Sequence, residues 1–379
     1  MGISFVTVME TLDTRIGLAN IGNTCFMNVI LQMLRLCPAI TDIFLRTDLP
    51  LRDASNKKEL LNGFQTLIRD FWRKVPGETD SLSLYPRGFF QALNNTIRSC
   101  DDDWYRPGQQ ADATEAFQYI LEGLHDAVYR TVTMNIRGEA SSKEEESQMK
   151  AIHSWVGFYS KEYSPIINQF YGQTQIRVVC TQCSNISERY EPWLVMKAPI
   201  PGGSTPGATA PNLDACIHDA FKSEELEDYS CDTCKTKTKA VIHNRISRFP
   251  PFLCLSLKRF TNTGLKVRCK IDWDLDNTDF SSVSAFDRDP FGGARLNTKY
   301  TTVAVVEHWG SLQGGHYRMY NRQEKNWYNY DDSSFSATSP AAVVNADSYM
   351  MLMIPTEKMA KTYSTQKEHI NAWRRSEEA

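Results

Sequence analysis

The chain of 379 residues contains no run of about 18 apolar residues, the length a helix needs to cross a bilayer, so no membrane partner is expected. It lacks an excess of either charge: 42 Lys and Arg stand against 45 Asp and Glu, a net −3, which offers no basic field to attract nucleic acid. Ten cysteines in this length are too few for a disulfide scaffold. The opening residues, 1–6, have neither the basic start nor the long apolar core of a secretory signal. Reduced thiols and an intracellular location, cytoplasmic or nuclear, are therefore expected. Gly2 invites a myristoylation reading, but position 6 is Val where Ser or Thr is required. No internal repeat is present. What remains, with 41% apolar and 11% aromatic residues, is an ordinary globular composition with ample material for a core.

Hydrophobic spacing divides the chain. Residues 25–36, 58–72 and a stretch from about Asp112 to Val128 carry apolar residues at helical intervals. Residues 139–150 are charged and predict a solvated loop or exposed helix. From about residue 165 the pattern turns to short β-type runs, at 175–179, 193–198, 240–246 and 252–257. Residues 201–211, rich in Gly, Ser, Thr and Pro, predict a flexible connection. Further strands are expected at 300–307, 316–321, 326–330 and 348–354, with a polar helical tail after Pro355. The fold class indicated is α+β, a helical lobe followed by a β-rich one with a cleft between them.

Cys25 ends a Gly22-Asn23-Thr24 turn and opens a helical run. A helix N-terminus stabilises a thiolate through free N–H groups and the positive dipole end, and the same groups can donate to an oxyanion. A free cysteine is more commonly a small buried hydrophobe, so the assignment needs a base. His125 falls on the apolar face of its helix and suits a core edge. His316 follows Gly314-Gly315 at the start of a strand-like run. A hairpin from 316 to 331 would bring Asp331 beside it, in the position that fixes the tautomer of a catalytic imidazole.

At these residues the sequence resembles the ubiquitin-specific proteases, papain-like cysteine proteases that cleave after the C-terminal glycine of ubiquitin. The likeness lies in residues 17–28 with Leu31-Gln32, in 108–115, in Leu255-Ser256-Leu257-Lys258-Arg259-Phe260, and in 300–332 with Gly314-Gly315-His316-Tyr317 and Trp327-x-x-Tyr330-Asp331-Asp332. It implies Cys25 as nucleophile, His316 as base and Asp331 as its orienting residue. Asn20 corresponds to the position whose amide stabilises the oxyanion, and Asp332 to a residue that aids orientation or holds a water. Gln110 and Asp112 correspond to contacts with the arginine-containing ubiquitin tail, although Asp112 could equally cap its helix. Gly314, Gly315 and Tyr317 would floor and wall a channel narrow enough for a diglycine. Ala116, where Phe or Leu is usual, and Phe26, where Tyr is commoner, depart from the pattern without touching the chemistry.

Two C-x-x-C pairs, Cys180 with Cys183 and Cys231 with Cys234, supply four thiolates suited to one tetrahedral Zn²⁺ with no open position. The 47 residues between them (184–230) exceed a compact zinc ribbon, so the pairs would have to meet at two hairpin tips. In the resembling family such pairs cap the "fingers". The implied organisation is an N-terminal extension (1–14), a catalytic domain (15–355) with helical thumb (15–160), β fingers (165–250) and β palm (251–355), and a polar tail (356–379). Ubiquitin and ubiquitinated proteins would be the partners, with room for an activating protein. Other readings are a protease for another ubiquitin-like modifier, a catalytically silent ubiquitin-binding scaffold, or a zinc-dependent adaptor.

Overall fold

The computed structural model describes residues 16–45, 49–73, 82–203, 209–311 and 314–377. The expected N-terminal extension and the middle of the 201–211 connection (204–208) lie outside them. In the first part run β1 (Ile16–Leu18), α1 (Cys25–Leu36), α2 (Pro38–Leu45), α3 (Lys58–Arg73), β2 (Leu82–Leu84), α4 (Arg87–Ser99), α5 (Ala113–Val128), α6 (Lys143–Tyr159) and α7 (Pro165–Phe170). Every residue of α1 is buried. Its apolar side chains pack with the stripe Leu60, Leu61, Phe64, Leu67, Ile68, Phe71 and Trp72 of α3 and with Phe117, Ile120, Leu121 and Leu124 of α5. The polar members of α1, Asn28, Gln32 and Arg35, recur at i, i+4 and i+7, one face of a helix. Gln32 Nε2 donates to Ile16 O at 2.8 Å, Arg35 Nε donates to Gln32, and the Arg35 guanidinium lies 4.5 Å from the Phe71 ring centre.

Two sheets follow. The strands β3 (Gly172–Cys180), β4 (Ile186–Trp193), β6 (Glu224–Ser230) and β7 (Lys237–Arg248) form an antiparallel sheet in the order β4-β3-β7-β6, with β5 (Val195–Ala198) and α8 (Leu213–Ala220) inserted between β4 and β6 in the chain. The larger sheet is built from β5 together with β8 (Leu253–Leu257), β10 (Lys299–Ser311), β11 (Gly314–Gln323), β12 (Asn326–Asp331), β13 (Ser334–Thr338) and β14 (Ser348–Pro355). Its order is β13-β12-β11-β10-β14-β8-β5, and the short β9 (Thr278–Asp279) pairs with β10. The run expected as one strand over 193–198 is therefore two: Trp193 ends β4 in one sheet, and after Leu194 the chain enters the other.

The larger sheet is covered on both faces. Met350, Leu352 and Ile354 of β14 join α1, α3 and α5 in one core, whereas Met351 and Met353 join Leu213, Cys216 and Ile217 of α8 in a second. Alternation between two buried faces explains why β14 reads as an unbroken apolar run. The first core fixes α1 against the sheet that carries β11.

The charged 139–150 stretch is coil up to Ser142, which caps α6 by accepting from Glu145 N, and only Ala151, Trp155 and Tyr159 of that helix are buried. A short helix, α9 (Pro340–Val343), precedes β14, and α10 (Met359–Glu377) closes the chain. The tail is helical as expected, yet it is docked. Gln366, Ile370 and Trp373 are buried, Gln366 Nε2 donates to Thr41 Oγ1 at 2.9 Å, and Arg374 Nε donates to Trp72 O at 2.8 Å.

Candidate active site

The turn before α1 is organised by one side chain. Asn20 Oδ1 accepts from Gly22 N and Thr24 N, both at 3.1 Å, and Asn20 Nδ2 donates to Asp332 Oδ2 at 2.9 Å. Gly22 (φ +126) and Asn23 (φ 55) take the left-handed backbone that this tight turn requires. No side chain caps α1 and its first turn holds no acidic residue. Its leading N–H groups are thus left for another acceptor, and Cys25, 1% exposed, stands at that end.

Asp332 ties the two ends of the site together. Its Oδ1 accepts from Asn28 Nδ2 at 2.7 Å, one turn into α1, while its backbone carbonyl accepts from Leu18 N at 2.8 Å. Asp332 itself sits at φ 48. A Cβ on Gly17 would lie 2.1 Å from Ser333 O, so only glycine lets β1 pass beneath this turn.

The expected hairpin is present. Strands β11 and β12 pair antiparallel through Met319 with Tyr330, and Asp331 follows immediately at the end of β12. His316 Nε2 and Asp331 Oδ1 are 2.6 Å apart. The Cys25 side chain acts on the same ring, and with Nε2 taken by the carboxylate, Nδ1 is the nitrogen that remains for sulfur. The bond with Cys25, and then the Asp331 carboxylate, hold His316 up at about 9 against partial burial. An imidazolium beside a thiol near neutral pH is the arrangement for an activated sulfur nucleophile. The ligand atoms of His316, Asp331 and Asp332 lie within 4.8 Å of one another, but Asp332 has both oxygens engaged by Asn20 and Asn28.

A groove of about 570 Å³ lies beside this cluster, bordered by Asn23, two residues before Cys25, and by Gly314 and Tyr317 on either side of His316, and lined also by Gln110, Asp112 and His308. Gln110 grips β11 at both ends of its amide: Nε2 donates to Gly315 O at 2.6 Å and Oε1 accepts from Gly315 N at 2.8 Å. Asp112 does cap α5, its Oδ1 accepting from Thr114 N at 2.7 Å, and its Oδ2 takes the Tyr349 hydroxyl at 2.5 Å. Gly315 is glycine for packing: a Cβ there would meet Trp309 O at 2.0 Å and His308 Nε2 at 2.4 Å, whereas a Cβ on Gly314 would meet only the end of Gln110. Tyr317 borders the groove with a largely buried ring, its centre 4.5 Å from that of His308 and tilted 37° to it. His308 lies outside the site expected from sequence. It is buried, burial holds its ring down at about 4, and its Nδ1 finds no partner. Its position shortly before the Gly314–Gly315–His316 run marks it only once β10 and β11 are seen to pair.

The two C-x-x-C pairs meet at the far tips of β3 and β6. Cys183 Sγ lies 3.6 Å from Cys231 Sγ, and Cys180 Sγ lies 3.9 Å from Cys234 Sγ. Each loop closes alike, Ser184 N donating to Cys180 O and Lys235 N to Cys231 O, with Ser184 and Lys235 both at φ 57. Four sulfurs at about 2.3 Å from a tetrahedral Zn²⁺ would stand about 3.8 Å apart. The observed spacings bracket that value, so the cluster fits a structural zinc.

A family model described as ubiquitin carboxyl-terminal hydrolase matches residues 16–353. The chain belongs to the ubiquitin carboxyl-terminal hydrolase family. The Usp2 hydrolase of Drosophila melanogaster is 30% identical over 348 residues, 88% of this chain and 34% of that protein. Ubiquitin carboxyl-terminal hydrolase 4 of Saccharomyces cerevisiae (strain YJM789) is 27% identical over 368 residues, 90% of this chain and 39% of its own length. The chain spans about a third to two fifths of these two hydrolases, and 54% of the Bos taurus hydrolase 2, to which it is 28% identical over 88% of its length. In fold it is similar to the SAGA Ubp8/Sgf11/Sus1/Sgf73 DUB module bound to ubiquitin aldehyde, with a TM-score of 0.66 at 20% identity over 91% of this chain and 70% of that one. The mixed helix–sheet architecture expected from sequence is thus the architecture of the family's deubiquitinases.

Proposed function

We propose that this chain is a thiol-dependent deubiquitinase that hydrolyses the peptide or isopeptide bond after the C-terminal glycine of ubiquitin. One observation carries the reading: a single imidazole, His316, holds the Asp331 carboxylate at 2.6 Å and is raised by the Cys25 side chain, beside a groove, in a member of the ubiquitin carboxyl-terminal hydrolase family. Cys25, as thiolate, attacks the glycine carbonyl. The resulting oxyanion accepts from the α1 N-terminus and from the second Nδ2 hydrogen of Asn20, the first being given to Asp332. His316 passes its proton to the leaving lysine amine, then takes one from the water that opens the thioester and releases Cys25. Asp331 holds the ring in register, and Asp332 positions Asn20 and is not itself at the reacting atoms.

Gln110, Asp112, Gly314, Gly315 and Tyr317 would line the path of the ubiquitin tail. Cys180, Cys183, Cys231 and Cys234 would hold one Zn²⁺, which supplies folding stability to the smaller sheet and takes no part in hydrolysis. Ubiquitin and ubiquitinated proteins are the proposed partners. In the SAGA module Ubp8 stands together with Sgf11, Sus1 and Sgf73, which supports an accessory protein as activator here as well. The unpaired thiols of the described residues suit a reducing compartment, cytoplasm or nucleus. Ubiquitin carrying a C-terminal electrophile tests the assignment. A covalent adduct mapped to Cys25 is expected. An adduct on another cysteine, or none on folded protein, would remove Cys25 from its role.

A further inference from the structure

Two grooves meet at the 20–24 turn. The Gln110–Gly314 groove touches it at Asn23, and a second, of about 660 Å³, touches it at Asn20 and Ile21 and runs along α4. This second groove takes Arg87, Gln91, Asn94 and Arg98 from one helical face, and Tyr85 at its mouth. Tyr85 is anchored beside the turn because Ala19 N donates to Leu84 O at 2.8 Å. Its ring is 67% exposed, with the Arg87 guanidinium 5.9 Å from the ring centre. No Asp or Glu lines the groove, and neither Arg87 nor Arg98 has an ion pair among the described residues. The carboxylate of Glu59 is taken by the Asn95 amide at 2.6 Å.

An extended substrate with its last ubiquitin glycine over Cys25 and the preceding residues in the Gln110 groove must leave past Asn20. We propose that the α4 groove receives the segment of the ubiquitinated protein that bears the modified lysine. Its two arginines, which form no ion pair among the described residues, favour segments with Asp or Glu beside that lysine, and the Tyr85–Arg87 pair offers a flat platform for the backbone. The proposal rests on the deubiquitinase reading and adds to it a preference on the leaving-group side.

The test compares kcat/KM for two ubiquitin–peptide isopeptide conjugates that differ only in Glu or Gln at the positions flanking the lysine. Ubiquitin–aminocoumarin amide, which has no leaving segment, is the reference. The Glu conjugate is expected to be preferred about five- to ten-fold at low ionic strength, with the preference shrinking as salt is added. The double variant Arg87→Gln, Arg98→Gln should lose the preference and keep the aminocoumarin rate. Equal treatment of both conjugates by the wild type, or an equal loss on all three substrates in the variant, would overturn the proposal. A wild type inert on the aminocoumarin amide would defeat the deubiquitinase reading itself, and this proposal with it.

Discussion

Asn20 accepts at its carbonyl oxygen from Gly22 N and Thr24 N and donates one amide hydrogen to Asp332, so the remaining hydrogen is aimed by three partners at once. Asn20→Ala is expected to lower kcat by roughly 10²–10³ with ubiquitin binding retained, as loss of an oxyanion donor does; a change below two-fold would exclude the donor. Asp332→Ala should cost less, because the Oδ1 contacts of Asn20 survive. For His316, the two partners that raise the ring can be separated by titration. In Cys25→Ala the larger cause is gone, so the His316 resonances should titrate well below about 9. In the wild type the ring stays charged through neutral pH and loses its proton only as pH rises through about 9. The kcat/KM profile should accordingly fall on its alkaline side near pH 9.

Among the elements, the smaller sheet depends most on its tip. Strand β6, Glu224–Ser230, has no buried residue, and β4 buries only Tyr190. With so little apolar burial, the four-sulfur cluster is what closes the far end. Cys180→Ser should lower zinc content and thermal stability while Cys25 still reacts with a small alkylating agent; unchanged zinc stoichiometry would defeat the site. The same lack of apolar burial is why β4 and β6 are not legible in the sequence: the half-buried face of β4 carries Glu188, Tyr190 and Pro192, and β6 has no buried face, so no apolar period of two is imposed. Where at least one face is buried, expectation and structure agree closely. Helices α3 and α5 and strands β8, β10, β12 and β14 lie within a few residues of their expected spans. Helix α4 is missing from the expected elements although Phe89, Phe90, Leu93 and Ile97 follow helical spacing. Its neighbourhood carries Pro86, Gly88 and two adjacent Asn, which weaken the local signal. In the site, Cys25, His316 and Asp331 can be read because turn, hairpin and strand end each leave a local mark. His308 and the bidentate hold of Gln110 on Gly315 are products of long-range pairing, and no local pattern announces them.

Across the whole molecule, α10 joins the last residues to the helices of the first core. Trp373 is 6% exposed, so Trp373→Ala should cost about 3–5 kcal/mol and lower Tm, with kcat on surviving folded enzyme little changed. Burial also keeps His125 and His308 at about 4, below their ordinary 6.5. Their neutral rings contribute stability above pH 6.5 that is lost as pH falls toward 4, and a Tm that declines over that interval is the expected signature.

The seat of Ser333 over Gly17 and the bonds from Asp332 to Leu18, Asn20 and Asn28 mean that the first strand and first helix are locked by residues more than 300 positions later. On the ribosome, Cys25 emerges 291 residues (26–316) ahead of its imidazole. At ordinary elongation rates that interval is roughly 15 to 60 s. Throughout it the nascent polypeptide carries a sulfur with no base, no oxyanion donor held in place and no floor to its tail groove. The proposed activity therefore waits until synthesis has passed Ser333, and a fragment that stops before His316 lacks the assembled site however well its helices fold.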